Sequence, residues 1–458
     1  MKIKSFPSAN DVANHAYKHV KFCLDSTTFP RLMLPTGNTP LQLYKLLSNS
    51  KLDFSNVTSF NLDEYYPIKR NHPDSYWTFM HNEFFNNINI NPENINILNP
   101  EANDIDNECN EYEKCINNNI DLCILGIGRN GHIAFNEPDV HSLISSKTRL
   151  VTLTPQTIDI NNIDYKTALT VGINTIMQSK KIIMIITGDN KKDIVYDLLY
   201  KNLFIPAHYI FSHPNHEIIL DDKSLDKVYK ELPRFINNDD KIMIFSPHPD
   251  DDVIGMGATI YKLFKFGIKV KIVYQTSGKG GGDVRIRQQE AISAIKSLGG
   301  TEDNIIFLNL PFYEKKFHLD IDDIIGNLEI KPDQFDIIKT FQCIEEYNPN
   351  KIFFAGDICD PNKTHKFCYD ILHNISKVDK RQYYLYYSAW GTTENPDDIH
   401  IFNKDTMDKK IYSIKQHESQ INPRYKGGLK NEFYEEIFKR NKKDGFGENC
   451  FIEKFTLL

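Results

Sequence analysis

Short apolar runs, separated by segments long enough for helices, recur along the whole chain and limit its fold more than any other feature. The first half contains four of them: "RLMLP", "VTSFNL", "DLCILGIG" and "KIIMIITG". They lack the strict alternation of half-exposed strands, which is typical of strands buried on both faces of a mostly parallel sheet. The long connections between them favour helices packed on that sheet, so the first half predicts an α/β domain.

The same pattern begins again after a charged, helix-compatible connection. The stretch "KSLDKVYKELPRFINNDD" ends in a polar break, and it is followed by "KIMIFSP", "IKVKIVYQTSG", "NIIFLNL" and "KIFFAGD". A chain of 458 residues is also too long for one ordinary core. We therefore predict two α/β domains, residues 1–236 and 237–458, each with a mostly parallel Rossmann-like sheet covered by helices.

Composition and charge exclude several classes of protein. The formal net charge is -7, so there is no basic excess to neutralise phosphates, and we expect no nucleic-acid partner. No stretch reaches the roughly 18 apolar residues of a membrane span, and the first residues lack the apolar core of a signal peptide. The eight cysteines include no C-x-x-C pair, so we expect neither a disulfide framework nor a structural zinc knuckle. We expect a cytoplasmic protein without a membrane partner that acts on small molecules.

A transition from strand to helix in the first half has the composition of a phosphate-binding loop. In "LPTGNTPLQLYKLL", threonines, a glycine and an asparagine precede a helix with proline in its first turn. Backbone amides and hydroxyl groups at a helix N-terminus bind anions. An ordinary capped turn explains this stretch, taken alone, equally well.

Two further motifs in the first half carry groups for proton transfer. "FNLDEYYPI" places Asp63 directly after a strand, and "GIGRNGHIAFNEP" contains Asn130, His132 and Glu137. A lone histidine is usually structural, but a histidine with a carboxylate five residues later, beside glycine-rich turns, is a candidate acid/base. Together the motifs indicate proton transfer on a phosphorylated small molecule.

With these motifs, and with "HPDSYWTFMHNEFF", "ALTVGINTIM" and "SHPNHEIILDD" in the same order, the first half resembles glucosamine-6-phosphate deaminase. The resemblance implies an enzyme without a cofactor that opens the pyranose ring, moves a proton between C2 and C1, and releases ammonia to give fructose 6-phosphate. It implies that Asp63 moves the proton, and that His132 opens the ring with help from Asn130 and Glu137. The phosphate would be bound by Thr36, Gly37, Asn38, Thr39 and Lys191.

The sequence departs from that family in two places. Asn130 stands where some members have aspartate, a variant that other members share. The segment from Thr152 to Gly172 is short and lacks the arginine that the family uses beside the phosphate. Weaker substrate binding, a changed substrate and a lost activity all stay open on this basis.

The second half opens with "SPHPDDDVIGMG", at the end of an apolar run. His248 and Asp251, three residues apart at a strand end, can bind one divalent metal, while Asp250 between them serves as a base for water. A solvated acidic turn is the alternative, and it leaves the preceding "SPHP" without a reason.

"HPDDD" and the later "TSGKGGGDVRIRQQEAISAIKSLGG" resemble zinc-dependent de-N-acetylases of the LmbE/PIG-L type, from roughly Lys241 onwards. The resemblance implies a Zn²⁺ ion bound by His248 and Asp251, with Asp250 as general base. In "GDICDPNKTHKFCYDIL" we predict His365 as the third ligand. Cys368 either takes the position of another family histidine or packs in a helix.

The two implied reactions are sequential. De-N-acetylation of N-acetylglucosamine 6-phosphate, or of a related N-acetyl sugar, yields glucosamine 6-phosphate, which is the substrate of the deaminase family. We therefore expect a bifunctional enzyme whose partners are small amino-sugar phosphates, with the oligomeric state left open. In the alternative, the first domain senses a sugar phosphate and regulates a zinc-dependent deacetylase that acts on an unrelated glycoconjugate.

Overall fold

The computed structural model describes residues 2–138, 144–161, 164–200, 205–312, 331–356, 363–387, 393, 395–421, 433–447 and 449–458. The chain divides into two compact units. Unit 1 is Met1–Lys230 with Gly447–Asn449, and unit 2 is Glu231–Phe446 with Cys450–Leu458. The division at Lys230 comes shortly before Asn237, where the sequence places the domain boundary.

Unit 1 is built on a seven-stranded sheet in which every neighbouring pair of strands is parallel. Its strands are β1 (Ile3–Phe6), β2 (Arg31–Leu34), β3 (Thr58–Asn61), β5 (Ile95–Asn96), β6 (Leu122–Leu125), β9 (Ile182–Ile186) and β10 (His216–Asp221). The strand order is β1-β10-β9-β6-β2-β3-β5. A small antiparallel sheet contains β4 (Asp63–Tyr66), β8 (Thr167–Thr170) and β7 (Arg149–Thr152) in that order.

The helices of unit 1 cover this sheet. They are α1 (Ala9–Ser26), α2 (Leu41–Ser48), α3 (Tyr76–Glu83), α4 (Ile105–Ile116), α5 (Pro155–Asn161), α6 (Ile173–Met177), α7 (Lys192–Tyr200) and α8 (Asp226–Lys230). α1 begins where the Ser8 hydroxyl accepts a hydrogen bond from the backbone N–H of Asp11, which satisfies one of the free donors of the first turn. Its apolar face then packs on strands such as β9, whose five residues are all buried.

Unit 2 has a second seven-stranded sheet. Its strands are β11 (Lys241–Ser246), β12 (Lys269–Tyr274), β13 (Ile305–Phe307), β14 (Lys351–Ala355), β15 (Gln382–Tyr386), β16 (Asp398–Asn403) and β17 (Cys450–Leu457). They lie in the order β13-β12-β11-β14-β15-β17-β16. The first five are parallel, and β17 and β16 are antiparallel additions at one edge. The predicted α/β class with two mostly parallel sheets is therefore confirmed.

The helices of unit 2 pack on both faces of its sheet. They are α9 (Asp251–Lys265), α10 (Val284–Ser297), α11 (Gln334–Tyr347), α12 (Lys363–Ser376), α13 (Lys404–Ile414), α14 (Glu418–Ile421) and α15 (Phe433–Asp444). Within the described ranges, none of the helices of either unit is long and apolar enough to cross a membrane. The seven cysteines that the structure describes are free thiols, and Cys359 lies outside the described residues.

A buried ion pair stabilises α9, the helix that begins within the "HPDDD" motif. α9 is interrupted at Met256, whose backbone angles (φ -139°, ψ 27°) are not helical. The helix then restarts with N–H groups that need acceptors. The carboxylate of Glu453 accepts hydrogen bonds from the N–H groups of Ala258 at 3.0 Å and Thr259 at 2.9 Å. Lys410 pairs with the same carboxylate at 2.7 Å, and both side chains are fully buried.

Candidate active sites

A cavity of about 310 Å³ in unit 1 brings together most of the residues predicted from the sequence. Eight of the nine line it: Thr36, Gly37, Asn38, Thr39, Asp63, Asn130, His132 and Lys191. The ninth, Glu137, is buried behind the wall and contacts Asn130 and His132.

The order of strands explains this convergence. The lining residues follow the carboxyl ends of β2, β3, β6 and β9, which are neighbours in the order β9-β6-β2-β3. Because all four strands are parallel, these ends meet at one edge of the sheet. The chain that leaves β2 goes to β3 on one side, whereas the chain that leaves its neighbour β6 goes to β9 on the other side. Such switch points are where open α/β sheets bind ligands.

The loop between β2 and α2 forms one end of the cavity. Gly37 has a φ of +90°, a left-handed conformation that favours glycine. Lys191 approaches from the segment after β9, and its ammonium group donates a hydrogen bond of 2.6 Å to the carbonyl of Ile127. Burial, together with the nearby charge of Arg129, lowers the pKa of Lys191 to about 8. Hydroxyl groups, backbone amides and a lysine thus surround a space suited to a phosphate group.

Asp63 and Glu64 are adjacent in sequence but serve different purposes. The Glu64 carboxylate accepts hydrogen bonds from the Ser75 hydroxyl and from the N–H groups of Tyr76 and Trp77, so it caps the first turn of α3. Asp63 lines the cavity, and its Oδ1 has no hydrogen-bond partner among the described residues. Burial, with the neighbouring charge of Glu64, raises the pKa of Asp63 to about 8. Such a carboxyl group can both take and return a proton near neutral pH.

Asn130, His132 and Glu137 form a connected group. The Asn130 side chain donates to Glu137 Oε2 at 2.6 Å, and His132 Nδ1 lies 3.4 Å from the same oxygen. Burial alone would raise the pKa of Glu137, but hydrogen bonding and charge from His132 lower it to about 2. An ionised carboxylate therefore orients the imidazole. Gly128 makes room for it, since a Cβ atom at that position would lie 2.3 Å from His132 Nε2.

Three residues of this cavity were not singled out from the sequence. Arg129, Tyr76 and Thr157 also line it, and the Thr157 hydroxyl lies 3.4 Å from His132 Nδ1. Arg129 stands within the quoted "GIGRNGH" motif, directly before Asn130, and this position is the signal that could have identified it. Tyr76 and Thr157 reach the cavity through tertiary packing, for which the local sequence carries no signal.

In unit 2, the three predicted metal ligands meet at one point. His248 Nδ1, Asp251 Oδ2 and His365 Nε2 form a triangle in which each pair of atoms is 3.1 Å apart. Donors at 2.0 to 2.1 Å from a tetrahedral zinc ion are about 3.3 Å apart, so the set fits such an ion and leaves its fourth position open. Burial alone would raise the pKa of Asp251, but the two histidines hold it well below its usual range.

The switch point of this sheet explains how the three ligands meet. His248 and Asp251 follow β11, whereas His365 lies in the first turn of α12, after β14. β11 and β14 are neighbours, and the connections that leave them run to opposite sides. Cys368, one turn after His365, is buried in the core with Phe367 and lies outside the triangle. Burial raises the pKa of its thiol, which disfavours the thiolate that would bind a metal.

The other two aspartates of the motif have separate partners. Asp250 forms an ion pair of 2.9 Å with the buried guanidinium of Arg287, which also donates to the carbonyl of Gly278 at 2.7 Å. Asp252 is fully buried and accepts a hydrogen bond of 3.2 Å from Tyr274. Asp252 thus joins α9 to the sheet, and Asp250 is held next to the ligand triangle.

Arg287 and His417 are the residues of this region that sequence reasoning missed. His417 is buried, and neither ring nitrogen has a hydrogen-bond partner among the described residues. Burial lowers its pKa to about 4, while the charges of Asp250, Arg287 and Asp251 act on it. It lies far from the motif in sequence, so no local pattern could associate it with the aspartates.

Comparisons with known proteins agree with this division. Residues 7–220 match the sequence model of the family described as glucosamine-6-phosphate isomerases/6-phosphogluconolactonase, and residues 243–376 match that of GlcNAc-PI de-N-acetylase. The glucosamine-6-phosphate deaminase of Thermoanaerobacter pseudethanolicus is 39% identical over 246 residues, covering 50% of this chain and 96% of that protein. The enzyme of the same name from Clostridium novyi is 40% identical over 243 residues, covering 50% and 100%.

Among solved structures, a monomeric glucosamine-6-phosphate deaminase is 32% identical, covers 50% of this chain and 100% of its own, and has a TM-score of 0.47. A 6-phosphogluconolactonase from Thermotoga maritima is 18% identical, covers 48% and 99%, and has a TM-score of 0.43. Through its first half, the chain belongs to the glucosamine-6-phosphate isomerase/6-phosphogluconolactonase family, to which a GlcNAc-PI de-N-acetylase-like segment is fused in its second half.

Proposed function

We propose that the first half is an isomerising deaminase that converts glucosamine 6-phosphate and water into fructose 6-phosphate and ammonia. The observation that carries this proposal is the cavity itself, in which Asp63, with a pKa of about 8, shares one space with the oriented His132 and the Thr36–Thr39 loop. An anchored phosphate, an acid/base histidine and a second acid/base near neutral pH are what such a reaction requires.

The proton transfers follow from these positions. With the phosphate held at the loop, His132 moves the proton that opens the ring, and the Glu137 carboxylate stabilises the imidazole when it is charged. Asp63, in its ionised form, takes the proton from C2 of the open-chain sugar and returns it to C1. The C2 imine that results adds water and loses ammonia, which leaves the ketone of fructose 6-phosphate.

Arg129 compensates for the arginine missing from the 152–172 segment. It lines the cavity close enough to Lys191 for the two charges to interact. Two cations beside the hydroxyls of the Thr36–Thr39 loop suit a phosphate dianion, and a guanidinium can bind it through two parallel hydrogen bonds.

For the second half, we propose metal-dependent removal of an acetyl group from N-acetylglucosamine 6-phosphate. Zn²⁺ bound by His248, Asp251 and His365 would supply the Lewis acidity that activates water and polarises the amide. Asp250 accepts the proton from the attacking water and returns it to the leaving amine. Arg287 holds the Asp250 carboxylate in place through their ion pair of 2.9 Å. The products are acetate and glucosamine 6-phosphate, so one chain carries two consecutive steps.

A coupled assay with and without a chelator tests this proposal. The purified chain is given N-acetylglucosamine 6-phosphate or glucosamine 6-phosphate, and acetate and ammonia are measured separately. We expect the chelator to stop acetate release from the first substrate and to spare ammonia release from the second. The zinc-loaded protein would contradict the proposal if it released acetate from a glycoconjugate but from neither the phosphorylated nor the free sugar. In that case the first half is either a sugar-phosphate sensor, as in the alternative hypothesis, or an independent enzyme.

A further inference from the structure

A second cluster of metal-binding side chains lies in unit 1, away from the cavity. His15 and His19 are four residues apart on α1, so both imidazoles project from the same face of the helix. Glu217, on β10, contacts both of them from the sheet. One ligand atom from each of the three residues lies within 4.8 Å of the other two.

The three side chains leave one buried ring nitrogen in ion-pair contact but without a hydrogen bond. His15 Nε2 lies 2.7 Å from Glu217 Oε1, and His19 Nε2 lies 3.3 Å from Glu217 Oε2. The Nε2 atom of His19 is buried and has no hydrogen-bond partner among the described residues. Buried polar atoms are rarely left without a partner, because desolvation without a hydrogen bond costs free energy. A cation held between the carboxylate and the two imidazoles would satisfy this atom.

This cluster and the cavity lie at opposite ends of the strands of one sheet. Glu217 is the second residue of β10, and Lys181 directly precedes the neighbouring strand β9. The cluster is therefore at the amino ends of these parallel strands, whereas the residues of the cavity follow the carboxyl ends. A ligand bound here would not contact the sugar phosphate.

We propose that His15, His19 and Glu217 bind one first-row divalent transition-metal ion such as Zn²⁺, which ties α1 to β10. Two imidazoles and one carboxylate are ligands that zinc, cobalt and nickel ions accept, with water in the remaining positions. The ion acts as a cross-link between residues 202 positions apart in sequence and takes no part in the proton transfers of the cavity.

Two lysines compete with the metal for these ligands. Lys4 Nζ lies 3.3 Å from Glu217 Oε1, and Lys181 Nζ lies 2.8 Å from His19 Nδ1. Binding through Nε2 requires the proton of His19 to be on Nδ1, so Lys181 has to give up its donated hydrogen bond. The Lys4 side chain is half exposed and can turn into solvent. Removal of either ammonium group should therefore tighten metal binding, whereas it would weaken a cluster that is only a network of ion pairs.

Zinc titration of the full-length protein by calorimetry, after removal of bound metal, tests the proposal. We expect His19→Gln to bind one equivalent fewer than the wild type, and His248→Ala to keep the equivalent that His19→Gln loses. We also expect Lys181→Met to lower the Kd of that equivalent by about tenfold or more, since a competing cation is gone. The proposal is overturned if His19→Gln binds as many equivalents as the wild type, or if Lys181→Met does not bind more tightly. The Lys181→Met result holds even if His19→Gln fails to fold.

Discussion

Asp63→Asn changes the response of unit 1 to pH, because the native carboxyl group keeps a proton that the unfolded chain releases. Burial raises the pKa of Asp63 from 3.8 to about 8. Between these values the native state binds one more proton than the unfolded state, so the free energy of unfolding of the wild type falls as the pH rises. The asparagine variant cannot titrate at this position, so its free energy of unfolding does not fall with pH for this reason.

The size of the effect follows from linkage. One proton difference corresponds to about 1.36 kcal/mol per pH unit, so the wild type loses about 2.5 kcal/mol relative to the variant between pH 5 and pH 7. For a domain of this size, that is roughly 5 to 10 °C in the Tm of its transition. The assay is thermal unfolding of both proteins at the two pH values, with Asp25→Asn as the control because the Asp25 side chain is 56% exposed. A Tm difference between Asp63→Asn and wild type that is the same at pH 5 and pH 7 would refute the assignment of a buried, protonated Asp63.

Three further substitutions test other parts of the account. Gly128→Ala should lower kcat for ammonia release by about 100-fold, since its Cβ would displace the His132 ring. Arg129→Met should raise the KM for glucosamine 6-phosphate by about tenfold or more with little change in kcat, as expected for a lost phosphate contact. Lys410→Met should cost about 3 to 5 kcal/mol in chemical denaturation because it leaves the Glu453 carboxylate buried without its lysine partner. Lys404→Met on the same helix breaks an exposed ion pair with Asp408 and should cost about 1 kcal/mol or less.

The fold class and most of the chemistry of the two candidate sites could be predicted from local sequence patterns. Apolar runs without alternation identified buried parallel strands, because strands covered on both faces have no polar side to reveal. Polar clusters at the ends of those runs identified both candidate sites, since parallel strands bring their carboxyl ends to one edge. The "HPDDD" motif and His365 could be paired only through family resemblance, because their proximity depends on β11 and β14 being neighbours.

Contacts between residues that are distant in sequence could not be predicted from local patterns. Glu64 stands beside Asp63, but nothing in "FNLDEYYPI" distinguishes the helix cap from the carboxyl group in the cavity. The ion pair between Asp250 and Arg287 depends on the packing of α10 against the motif. Glu217 meets α1 only because β10 returns to pair with β1 at the far edge of the sheet. Such contacts are set by strand order, which is a property of the whole chain.

We propose that one chain performs two consecutive reactions at separate sites, and the products formed by the Asp63→Asn variant distinguish the two reactions. N-acetylglucosamine 6-phosphate is incubated with the zinc-loaded variant, and its conversion is followed by NMR. We expect acetate and glucosamine 6-phosphate to accumulate together, without fructose 6-phosphate or ammonia. Formation of fructose 6-phosphate by the variant would contradict the proposal. It would also be contradicted if neither the variant nor the wild-type protein released acetate.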